Sequence, residues 1–474
     1  INHHLKLNTC VGYSSYFEIA ILLDKIGNLT LANTTIMCNS CYKTIRLNSK
    51  WFFLLTAILI FSSCKERQEE TANEPVLSIS KDNEGITVPD GFGVIKVADS
   101  LGAPRHIAVN SNGGVYLKLR KPVDGEGIIY LEDHDEDGIA DAKKGFADYG
   151  GTGMYLDKNY LYASSDEEIF RYKLNASGKV TNTNAPDTLV EKLVSYRTHA
   201  TKSFTLDGEG NIYVNIGAYS NACQETDRTL GSPGVMPCRI LDSAGGIWQF
   251  RADKMKQSYS EGKRYATGLR NVVGLDWNYN LNKLVVTQHG RDQLSTLYPD
   301  LYDSETSANL PAETMYIINE GDDAGWPYIY YDQFQNKKIL SPEYGGDGKK
   351  TAGENAIDPI ATFPAHMAPN ALLFYTGDMF PEEYKNGAFI AFHGSWNRAP
   401  EKQNGFLVAF VPFKNGKPSG EWQVFADGFA GLEEVYSPSE AEHRPTGLAQ
   451  GPDGSLYVSD DSGGSLFRIV YNKN

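Results

Sequence analysis

Short apolar strands separated by polar turns recur along the chain from residue 89 onward. Each repeat has an apolar strand, a turn rich in Asn, Asp and Gly, and a second strand centred on Tyr or another bulky apolar residue. The repeats read HIAVNSNGGVYLKL, GMYLDKNYLYASS, SFTLDGEGNIYVNIG, VGLDWNYNLNKLVVTQHG, LLFYTGDMFPEEYKNGAFIAFHGSW and GLAQGPDGSLYVSDD. These six sheets predict an all-β protein, a six-bladed β-propeller with four-stranded antiparallel blades over residues 89–474. A β-sandwich is the alternative.

The composition agrees with strands joined by tight turns. The 474 residues include 46 Gly and 28 Tyr, and 12% of them are aromatic. A chain of this length is compatible with one large propeller. The formal net charge of −15 argues against a nucleic-acid partner, because phosphate contacts need a basic face and no dense Lys/Arg block occurs.

The first part of the chain has the layout of an export signal. Lys43, Arg46 and Lys50 precede the apolar run WFFLLTAILIF (51–61), which is too short to span a bilayer. Small residues then precede Cys64, a pattern that resembles the bacterial lipoprotein signal, in which cleavage occurs before the cysteine and lipid is attached to it. The alternative is a secreted soluble protein that is cut nearby.

The predicted organisation therefore has four parts. We expect residues 1–36 to be upstream translation without structure, 37–63 to be a lipoprotein signal peptide, and 64–88 to be a polar tether that leads into the propeller. The mature protein is predicted to be exported and lipid-anchored to a bacterial membrane, in the periplasm or at the cell surface.

Only two cysteines, Cys223 and Cys238, follow the predicted anchor. Exported proteins form and keep disulfides, so this pair predicts a disulfide that closes the loop CQETDRTLGSPGVMPC. Two free thiols are the alternative that the spacing alone leaves open.

Polar side chains are predicted to gather on one face of the propeller. In an antiparallel blade the residues before the first strand and those after the second strand lie on the same face. The residues in these positions are His199, Arg270, Asn271, His289, Arg291, His393, Asn397, Arg398, His443 and Arg444. A single histidine is more often a structural imidazole, but histidines and arginines at several blade ends, together with His106 and His366, indicate a functional funnel mouth.

The sequence lacks the motifs of several common classes of enzyme and metal site. The body contains no H-E-x-x-H, C-x-x-C or G-x-S-x-G motif, and no G-x-G-x-x-G that opens a helix. This pattern argues against a zinc site of those kinds, a serine hydrolase of the α/β type and a nicotinamide-binding domain.

The segment DHDEDGIAD (133–141) has the spacing of a calcium loop. Its carboxylates are Asp133, Asp135, Asp137 and Asp141, with Gly138 at the turn. Lys144 stands where a bidentate glutamate is expected, so an exposed acidic turn without a metal is the alternative. A calcium ion here would stiffen the loop.

Five motifs together carry a resemblance to a known family. YATGLRNVVGLDWN, TQHGRDQL, EGDDAGWPYIYYD, FHGSWNR and RPTGLAQGPDGSLYVSDD resemble the glucose/sorbosone dehydrogenase family over residues 90–472. Members are six-bladed propellers that oxidise sugars with pyrroloquinoline quinone and calcium. The resemblance therefore implies an aldose or related, sorbosone-like sugar as substrate, and an external electron acceptor such as a cytochrome or a quinone.

The resemblance also implies roles for individual residues. His199 precedes a D-G-x-[IL]-Y-V strand, as the family's catalytic base does, and would take the proton of the sugar C1 hydroxyl while hydride passes to the quinone. Arg270, Asn271 and Arg444 match cofactor contacts, because the planar guanidinium fork suits carboxylates. The calcium that polarises the quinone would be bound by the carbonyls of Gly290 and Arg291 and by the Glu313 carboxylate.

Two positions depart from the pattern of glucose-oxidising members. His393 stands where they have a lysine, and Thr446 stands where they have a second arginine, with Arg398 as a further cofactor candidate. Two alternatives to the quinoprotein remain: a cofactor-free propeller that binds carbohydrate or a protein partner, and a calcium lactonase. A lactonase would need several axial carboxylates, whereas this predicted face is more cationic.

Overall fold

A computed structural model describes residues 76–472 and two short N-terminal strands. The chain divides into two compact units, Ile1–Glu74 and Pro75–Asn474. In the first unit, β1 (Leu22–Leu23) and β2 (Leu29–Thr30) pair as an antiparallel hairpin.

The predicted export signal lies almost wholly beyond this description. The signal peptide, Cys64 and most of the tether are outside the described residues, so cleavage and lipid attachment stay predictions. In the part of the chain that is described, no helix is both long enough and apolar enough to cross a membrane.

The second unit consists of six blades, each built on four antiparallel strands. Strand β3 (Phe92–Ala98) comes first in the chain but belongs to the sixth blade. Blades one and two contain β4 (Pro104–Val109), β5 (Val115–Val123), β6 (Glu126–Glu132), β7 (Ala142–Phe146), β8 (Met154–Leu156), β9 (Tyr160–Ser164), β10 (Ile169–Lys173) and β11 (Asp187–Glu191). Blades three and four contain β12 (Phe204–Leu206), β13 (Asn211–Ile216), β14 (Gly246–Arg251), β16 (Lys263–Thr267), β17 (Leu275–Asn278), β18 (Lys283–Gln288), β19 (Glu313–Ile318) and β22 (Ala361–Phe363). Blades five and six contain β23 (Pro369–Phe374), β24 (Ala388–Phe392), β25 (Leu407–Val411), β28 (Gln423–Ala426), β29 (Pro445–Gln450), β30 (Leu456–Asp460) and β31 (Ser465–Tyr471), with β3 outermost.

Short strands, helices and turns lie outside the four-stranded sheets or extend them. Strand β15 (Gln257–Ser258) adds a fifth, parallel strand to blade two. The short hairpins are β20 (Ile329–Asp332) with β21 (Lys337–Leu340), and β26 (Phe413–Lys414) with β27 (Lys417–Pro418). The α-helices are α1 (Leu294–Leu297) and α2 (Ser304–Asn309), and the 3-10 turns are Asn83–Gly85, Arg239–Asp242, Tyr259–Glu261, Pro342–Tyr344, Glu382–Tyr384 and Pro438–Glu440.

Local turn chemistry explains where the inner strands end. After β12, the Asp207 carboxylate accepts hydrogen bonds from the backbone N–H groups of Glu209 and Asn211, both at 2.8 Å. Gly210 adopts a left-handed conformation, with φ at 79°. An Asx turn followed by a left-handed glycine reverses the chain at little cost and starts β13 in register.

Strands from the two ends of the second unit close the ring. β3 pairs with β31, with Phe92 opposite Tyr471. The innermost strands contact one another in succession around a central channel, in the order β4, β8, β12, β17, β23, β29 and back to β4. The predicted six-bladed, all-β propeller is confirmed.

Apolar side chains fill the spaces between blades. Tyr213 of blade three stacks on Trp277 of blade four, with ring centroids 5.0 Å apart. Between blades five and six, Phe92 packs edge-on against Phe380 and Phe425, with ring centroids 4.8 Å and 5.1 Å apart. Truncating such a ring to alanine typically costs about 3–5 kcal/mol, so these contacts hold the blades in fixed relative positions.

The meander gives the propeller two distinct faces. The first strand of each blade leaves one face and the second strand returns to it, as the antiparallel pairing of β12 with β13 and β17 with β18 shows. The face from which the inner strands begin is called the funnel face here, and the face of the first turns is called the turn face. His199, Arg270 and His289 belong to the funnel face.

Candidate active site

A cavity of about 230 Å³ opens on the funnel face, between blades three, four and five. Its lining includes His199, Arg270, His289, Glu313, His366 and Trp396. With Arg228 and Asp292, which also line it, three imidazoles, two guanidinium groups and two carboxylates share one small space. Perturbed titratable groups in a cleft are a common mark of a functional site.

His199 lies in the connection that enters blade three. Its backbone is left-handed, with φ at 53°, a conformation that costs energy for a side chain with a Cβ. The ring Nδ1 is bonded to the carbonyl of Ala218, and because a carbonyl only accepts, Nδ1 carries the proton. Burial and then the nearby Arg270 lower the pKa of His199 to about 3. The imidazole is therefore neutral, and Nε2 is the nitrogen that is able to accept a proton.

His289 and His366 are neutral rings held by single carbonyls. Nε2 of His289 donates to the carbonyl of Pro369 at 3.2 Å, and Nε2 of His366 donates to the carbonyl of Ser307 at 2.9 Å. Burial is the main reason that the pKa of each ring is lowered, to about 4 in His289. Neutral histidines leave the arginines as the main source of positive charge in the cavity.

Asp292 links two arginines beside the cavity. Its Oδ2 accepts hydrogen bonds from Arg270 at 2.7 Å and from Arg228 at 2.8 Å. Although burial acts against ionisation, the two guanidinium groups hold the pKa of Asp292 well below its usual range. One carboxylate shared by two arginines leaves one positive charge unbalanced, which favours an anionic ligand.

The predicted disulfide is present, and it shapes this part of the site. Cys223 and Cys238 are joined, and the loop between them carries Arg228 to the cavity. Both sulfurs pack in a small apolar cluster with Trp326. The indole N–H of Trp326 donates to the carbonyl of Asn221 at 2.9 Å, so this tryptophan has a packing role in the turn.

Glu313 is a buried carboxylate without a cationic partner among the described residues. It is 2% exposed, and its oxygens accept hydrogen bonds from the backbone N–H groups of Gly290 at 2.9 Å and Ala368 at 3.3 Å. Burial raises the pKa of Glu313 to about 7. A buried carboxylate that lacks a counter-charge, beside a peptide carbonyl at Gly290, is the type of oxygen donor set that calcium prefers. The residues therefore fit the calcium that the sequence predicts.

The other two residues of the predicted calcium site, Gly290 and Arg291, also make hydrogen bonds within the protein. The carbonyl of Gly290 accepts a hydrogen bond from Nη1 of Arg270 at 2.8 Å. The side chain of Arg291 turns away and makes a buried bidentate ion pair with Glu343, at 2.6 Å to both oxygens. The Arg291 side chain is therefore occupied, and the group of Arg291 that is predicted to bind calcium is its backbone carbonyl.

Arg270 lines the cavity, whereas its neighbour Asn271 is buried outside the cavity lining. The Arg270 fork is largely occupied: besides Asp292 and Gly290, it donates to the carbonyl and the side-chain oxygen of Asn221. Asn271 is buried, and its Oδ1 accepts a hydrogen bond from Asn215 at 3.3 Å. This bonding fixes the orientation of both residues before any ligand binds.

A second polar network connects blades five and six. Nε2 of His393 donates to Asp461 at 2.7 Å, and Nδ1 accepts a hydrogen bond from Arg444 at 3.0 Å. Asp461 also forms a buried ion pair with Arg105 at 2.6 Å. The remaining bonds of Arg444 run to the carbonyls of His393 at 3.1 Å and Gly394 at 2.6 Å. Neither His393 nor Arg444 is among the residues that line the 230 Å³ cavity.

Five other residues of the predicted funnel mouth lie outside the cavity lining, namely Asn271 and Arg291, described above, and Arg398, His443 and His106. Arg398 donates to the carbonyls of Lys402 and Ala308, so its fork is occupied by the backbone. His443 donates from Nδ1 to Asp460 at 2.7 Å. His106 lines a different cavity, which is bordered by the inner strands of all six blades. The predicted site residues that the structure brings together in the cavity are His199, Arg270, His289, Gly290, Glu313, His366 and Asn397.

The acidic loop holds three carboxylates close to one another. Oxygens of Asp133, Asp135 and Asp141 lie within 4.8 Å of each other, and Oδ1 of Asp133 is buried without a hydrogen-bond partner. Asp137 is not part of this group, and its oxygens accept hydrogen bonds from Ser78 and from the backbone N–H of Ile139. This arrangement is compatible with the predicted structural calcium, and the part assigned to Asp137 has no support in the geometry.

Sequence reasoning missed Asp292, Arg228, Asp461 and Trp396. Asp292 stands in the quoted motif TQHGRDQL and Trp396 stands in FHGSWNR, so both were visible as residues of conspicuous segments. Arg228 belongs to the disulfide loop, and nothing in the local pattern indicates that the loop folds over the cavity. Its position depends on the Cys223–Cys238 bond and on Asp292 from another blade.

Comparison with known proteins identifies the family. A family model described as TrAA12-like matches residues 86–472. The chain belongs to this family. The TrAA12-like match covers the whole propeller, and the sequence-based prediction of kinship with quinone-dependent sugar dehydrogenases is confirmed.

Two relatives of this TrAA12-like chain have informative names. It is 22% identical over 457 residues to the pyrroloquinoline quinone-dependent sugar dehydrogenase of Hypocrea jecorina, covering 89% of this chain and 96% of that protein. It is 29% identical over 428 residues to the pyrroloquinoline quinone-dependent pyranose dehydrogenase of Coprinopsis cinerea, covering 81% of this chain and 54% of that protein. The chain thus spans about half the length of the second relative.

A solved structure has the same architecture as this TrAA12-like chain. The calcium structure of the Trichoderma reesei enzyme of carbohydrate-active enzyme family AA12 superposes with a TM-score of 0.67 at 19% identity. The match covers 84% of this chain and all of that structure. At this identity the likeness concerns the fold.

Proposed function

We propose that the protein is a dehydrogenase that oxidises an aldose or related sugar at C1 with pyrroloquinoline quinone and calcium. The observation that carries the proposal is a neutral His199, with a free Nε2, in the same cavity as the uncompensated carboxylate of Glu313. A proton acceptor and a calcium ligand set in one cleft match the needs of this reaction.

The relatives support the same conclusion. The proteins of Hypocrea jecorina and Coprinopsis cinerea are named as quinone-dependent sugar and pyranose dehydrogenases. The sequence-based prediction of an oxidoreductase that acts on sugars agrees with both names. The sorbosone-like substrate is a finer proposal that rests on the sequence motifs.

The charge of the cavity suits a tricarboxylate cofactor. Arg228 and Arg270 share Asp292, so they keep a net positive charge beside the cavity. We assign them as the principal anion-binding residues. Asn271, His393, Arg398 and Arg444 are the further cofactor contacts that the sequence predicts. When bound, the quinone would supply the two-electron oxidant and calcium would act as a Lewis acid.

His199 has the geometry of the general base. Its Nδ1 is committed to the Ala218 carbonyl, which fixes the ring and the tautomer, so Nε2 accepts the proton of the sugar C1 hydroxyl. The depressed pKa keeps the ring unprotonated before the reaction. Oxidation of the hemiacetal carbon to a lactone removes this proton together with a hydride from C1, and the hydride is taken up by the oxidant.

Glu313 would hold the active-site calcium with the carbonyls of Gly290 and Arg291. Because Glu313 has a raised pKa, a divalent cation competes with a proton for its carboxylate. A structural calcium on Asp133, Asp135 and Asp141 is a separate proposal that would stabilise the acidic loop.

The cellular setting is also proposed from the sequence. The lipoprotein-like segment that ends at Cys64 supports export and lipid anchoring, and the disulfide suits an oxidising compartment. An external acceptor, such as a cytochrome or a quinone, would then collect the electrons outside the cytoplasm.

Reconstitution tests the proposal. Purified apo-protein is titrated with the quinone and Ca²⁺, and cofactor absorbance and sugar-dependent dye reduction are recorded. We expect saturable binding and aldose-dependent turnover that requires both additions. Absence of quinone binding would overturn the enzymatic proposal and leave a carbohydrate- or protein-binding propeller as the alternative.

A further inference from the structure

The loop at the rim of the catalytic cavity presents an unusual tryptophan. Trp396 is 56% exposed, and it also lines the cavity that contains His199. Large aromatic side chains are normally buried for most of their area, so an indole left open at the mouth of a cavity points to a ligand-binding surface.

Residues 393–397, called the rim loop here, carry Trp396 and are fixed by hydrogen bonds on two sides. The exposure of the indole is therefore a property of an ordered loop. Ser395 donates from Oγ to the carbonyl of His366 at 2.9 Å, and the backbone N–H of Asn397 donates to Ser395 Oγ at 3.2 Å. From the other side, Arg444 donates to the carbonyls of His393 and Gly394. A platform fixed from two sides loses little entropy when a ligand binds to it.

The polar network between blades five and six orients Arg444, which binds the rim loop. Asp461 accepts a hydrogen bond from Nε2 of His393, so Nδ1 of His393 is left as the acceptor for Arg444. Arg105 pairs with the other oxygen of Asp461. The network thus directs Arg444 toward the rim loop, which gives His393 and Arg444 a positioning role at the cavity mouth.

Asn397 supplies a polar atom next to the indole. Its side chain lines the cavity, and its Oδ1 is buried without a hydrogen-bond donor among the described residues. An unpaired buried oxygen costs free energy unless a ligand donates to it. A hydroxyl group would satisfy this oxygen.

We infer that Trp396 and Asn397 form the substrate subsite and bind one monosaccharide ring. The ring's C–H face packs on the indole, whose π-face carries negative potential, and a ring hydroxyl donates to Asn397 Oδ1. The inference rests on the proposed function for the identity of the substrate. It adds that Trp396 binds the sugar ring in general, whereas Asn397 distinguishes sugars by the configuration of one hydroxyl.

Steady-state kinetics with several epimeric aldoses tests the assignment. The variants are Trp396→Ala, Trp396→Phe and Asn397→Ala, and Phe334→Ala removes an aromatic ring that is 72% exposed on the β20–β21 hairpin, as a control. Trp396→Ala is expected to raise KM about tenfold for every sugar, with kcat and the quinone Kd within about twofold of wild type. Trp396→Phe should recover part of the loss, and Asn397→Ala should raise KM for some epimers only.

The outcomes separate this inference from the proposed function. An unchanged KM in Trp396→Ala, or a rise in its quinone Kd, would overturn the sugar subsite and assign the indole to the cofactor instead. If wild-type protein shows no turnover, the proposed function fails, and sugar titrations followed by tryptophan fluorescence decide the subsite. A saturable change that Trp396→Phe lacks supports it, and no change in either protein contradicts it.

Discussion

Two cavities of this propeller contain the same pair of titratable groups, a histidine and a carboxylic acid, in different surroundings. On the funnel face, His199 and Glu313 line the cavity of about 230 Å³. Toward the turn face, His106 and Asp276 line a larger cavity of about 390 Å³, bordered by inner strands of all six blades. Each histidine is bonded to a backbone carbonyl, and each carboxylate accepts two backbone N–H groups.

Burial perturbs the pKa values of the two pairs in the same way. It lowers the pKa of His106 to about 4, as it lowers that of His199 to about 3. It raises the pKa of both Asp276 and Glu313 to about 7. A shifted pKa alone therefore does not distinguish a catalytic cleft from a structural channel.

The surroundings make the difference. The funnel-face cavity adds Arg228, Arg270 and an exposed Trp396, whereas the turn-face cavity adds tyrosines, including Tyr155 and Tyr279, whose hydroxyls are 2.7 Å apart. Cationic forks and an open indole can bind an anionic cofactor and a sugar together. The comparison teaches that the charges around a base, more than the base itself, identify the active site.

The largest expected effect distinguishes the two histidines. Replacing His199 by alanine removes the proposed base, and kcat is expected to fall about 100-fold to 10,000-fold while the quinone still binds. His106→Ala is the matched control and should keep kcat near the wild-type value. Single-turnover and steady-state rates with one aldose measure both, and equal losses in the two variants would contradict the assignment.

Removing the disulfide tests whether the loop that it closes contributes to the funnel-face cavity. The double variant Cys223→Ser/Cys238→Ser is expected to lose about 3 kcal/mol of unfolding free energy, since the cross-link closes a loop with a sequence separation of 15 residues. Because Arg228 lies in this loop, quinone affinity should fall as well. Urea unfolding and quinone titration give the two quantities, and an Arg228→Gln variant separates loss of charge from loss of the cross-link.

Calcium distinguishes the two carboxylates. Ca²⁺ at a hundredfold excess over its Kd should stabilise the wild-type protein by about 2.7 kcal/mol. Glu313→Gln should lose most of this gain, and Asp276→Asn should keep it. Thermal unfolding with and without Ca²⁺ measures the gain, and an Asp135→Asn variant subtracts any contribution from the acidic loop. A full response in Glu313→Gln would exclude Glu313 as the ligand.

The smallest expected effect is a pH dependence of stability. A carboxyl whose folded pKa is raised stabilises the folded state at low pH, and this stabilisation is lost as the pH rises through the folded pKa, here about 7. Without calcium, both Glu313 and Asp276 should contribute, by about 1 kcal/mol each after allowing for solvent screening. With calcium only the Asp276 part should remain. Melting temperatures at several pH values check this, and a pH slope unchanged in Asp276→Asn would contradict it.

Much of the fold could be predicted because its determinants are local. An apolar strand, an Asx–Gly turn such as the one at Asp207 and Gly210, and a second strand are specified within a short stretch of chain. The pairing of β3 with β31 joins opposite ends of the propeller and has no such local signal. It follows from closing the ring, which removes two exposed sheet edges.

The candidate site was predictable where a residue acts through its position at a blade end. His199, Arg270 and Glu313 precede or begin strands, so the meander places them on the funnel face. Arg398 and Arg228 show the limit of this reasoning. Arg398 stands in a conspicuous motif, yet its fork is occupied by the carbonyls of Lys402 and Ala308, whereas Arg228 reaches the cavity from a long loop.

By itself the sequence determined the blades and the family, because strand alternation, turn residues and short motifs are properties of neighbouring positions. The assignment of His199 as the base stays a prediction. The tertiary structure decided which charges face one another. Asp292 binds two arginines from separate segments, Glu313 has no ion-pair partner within the part of the chain that the structure describes, and Trp396 stays exposed at the rim. These facts depend on contacts between residues far apart in the chain, where burial and electrostatic pairing act over a few ångströms of space.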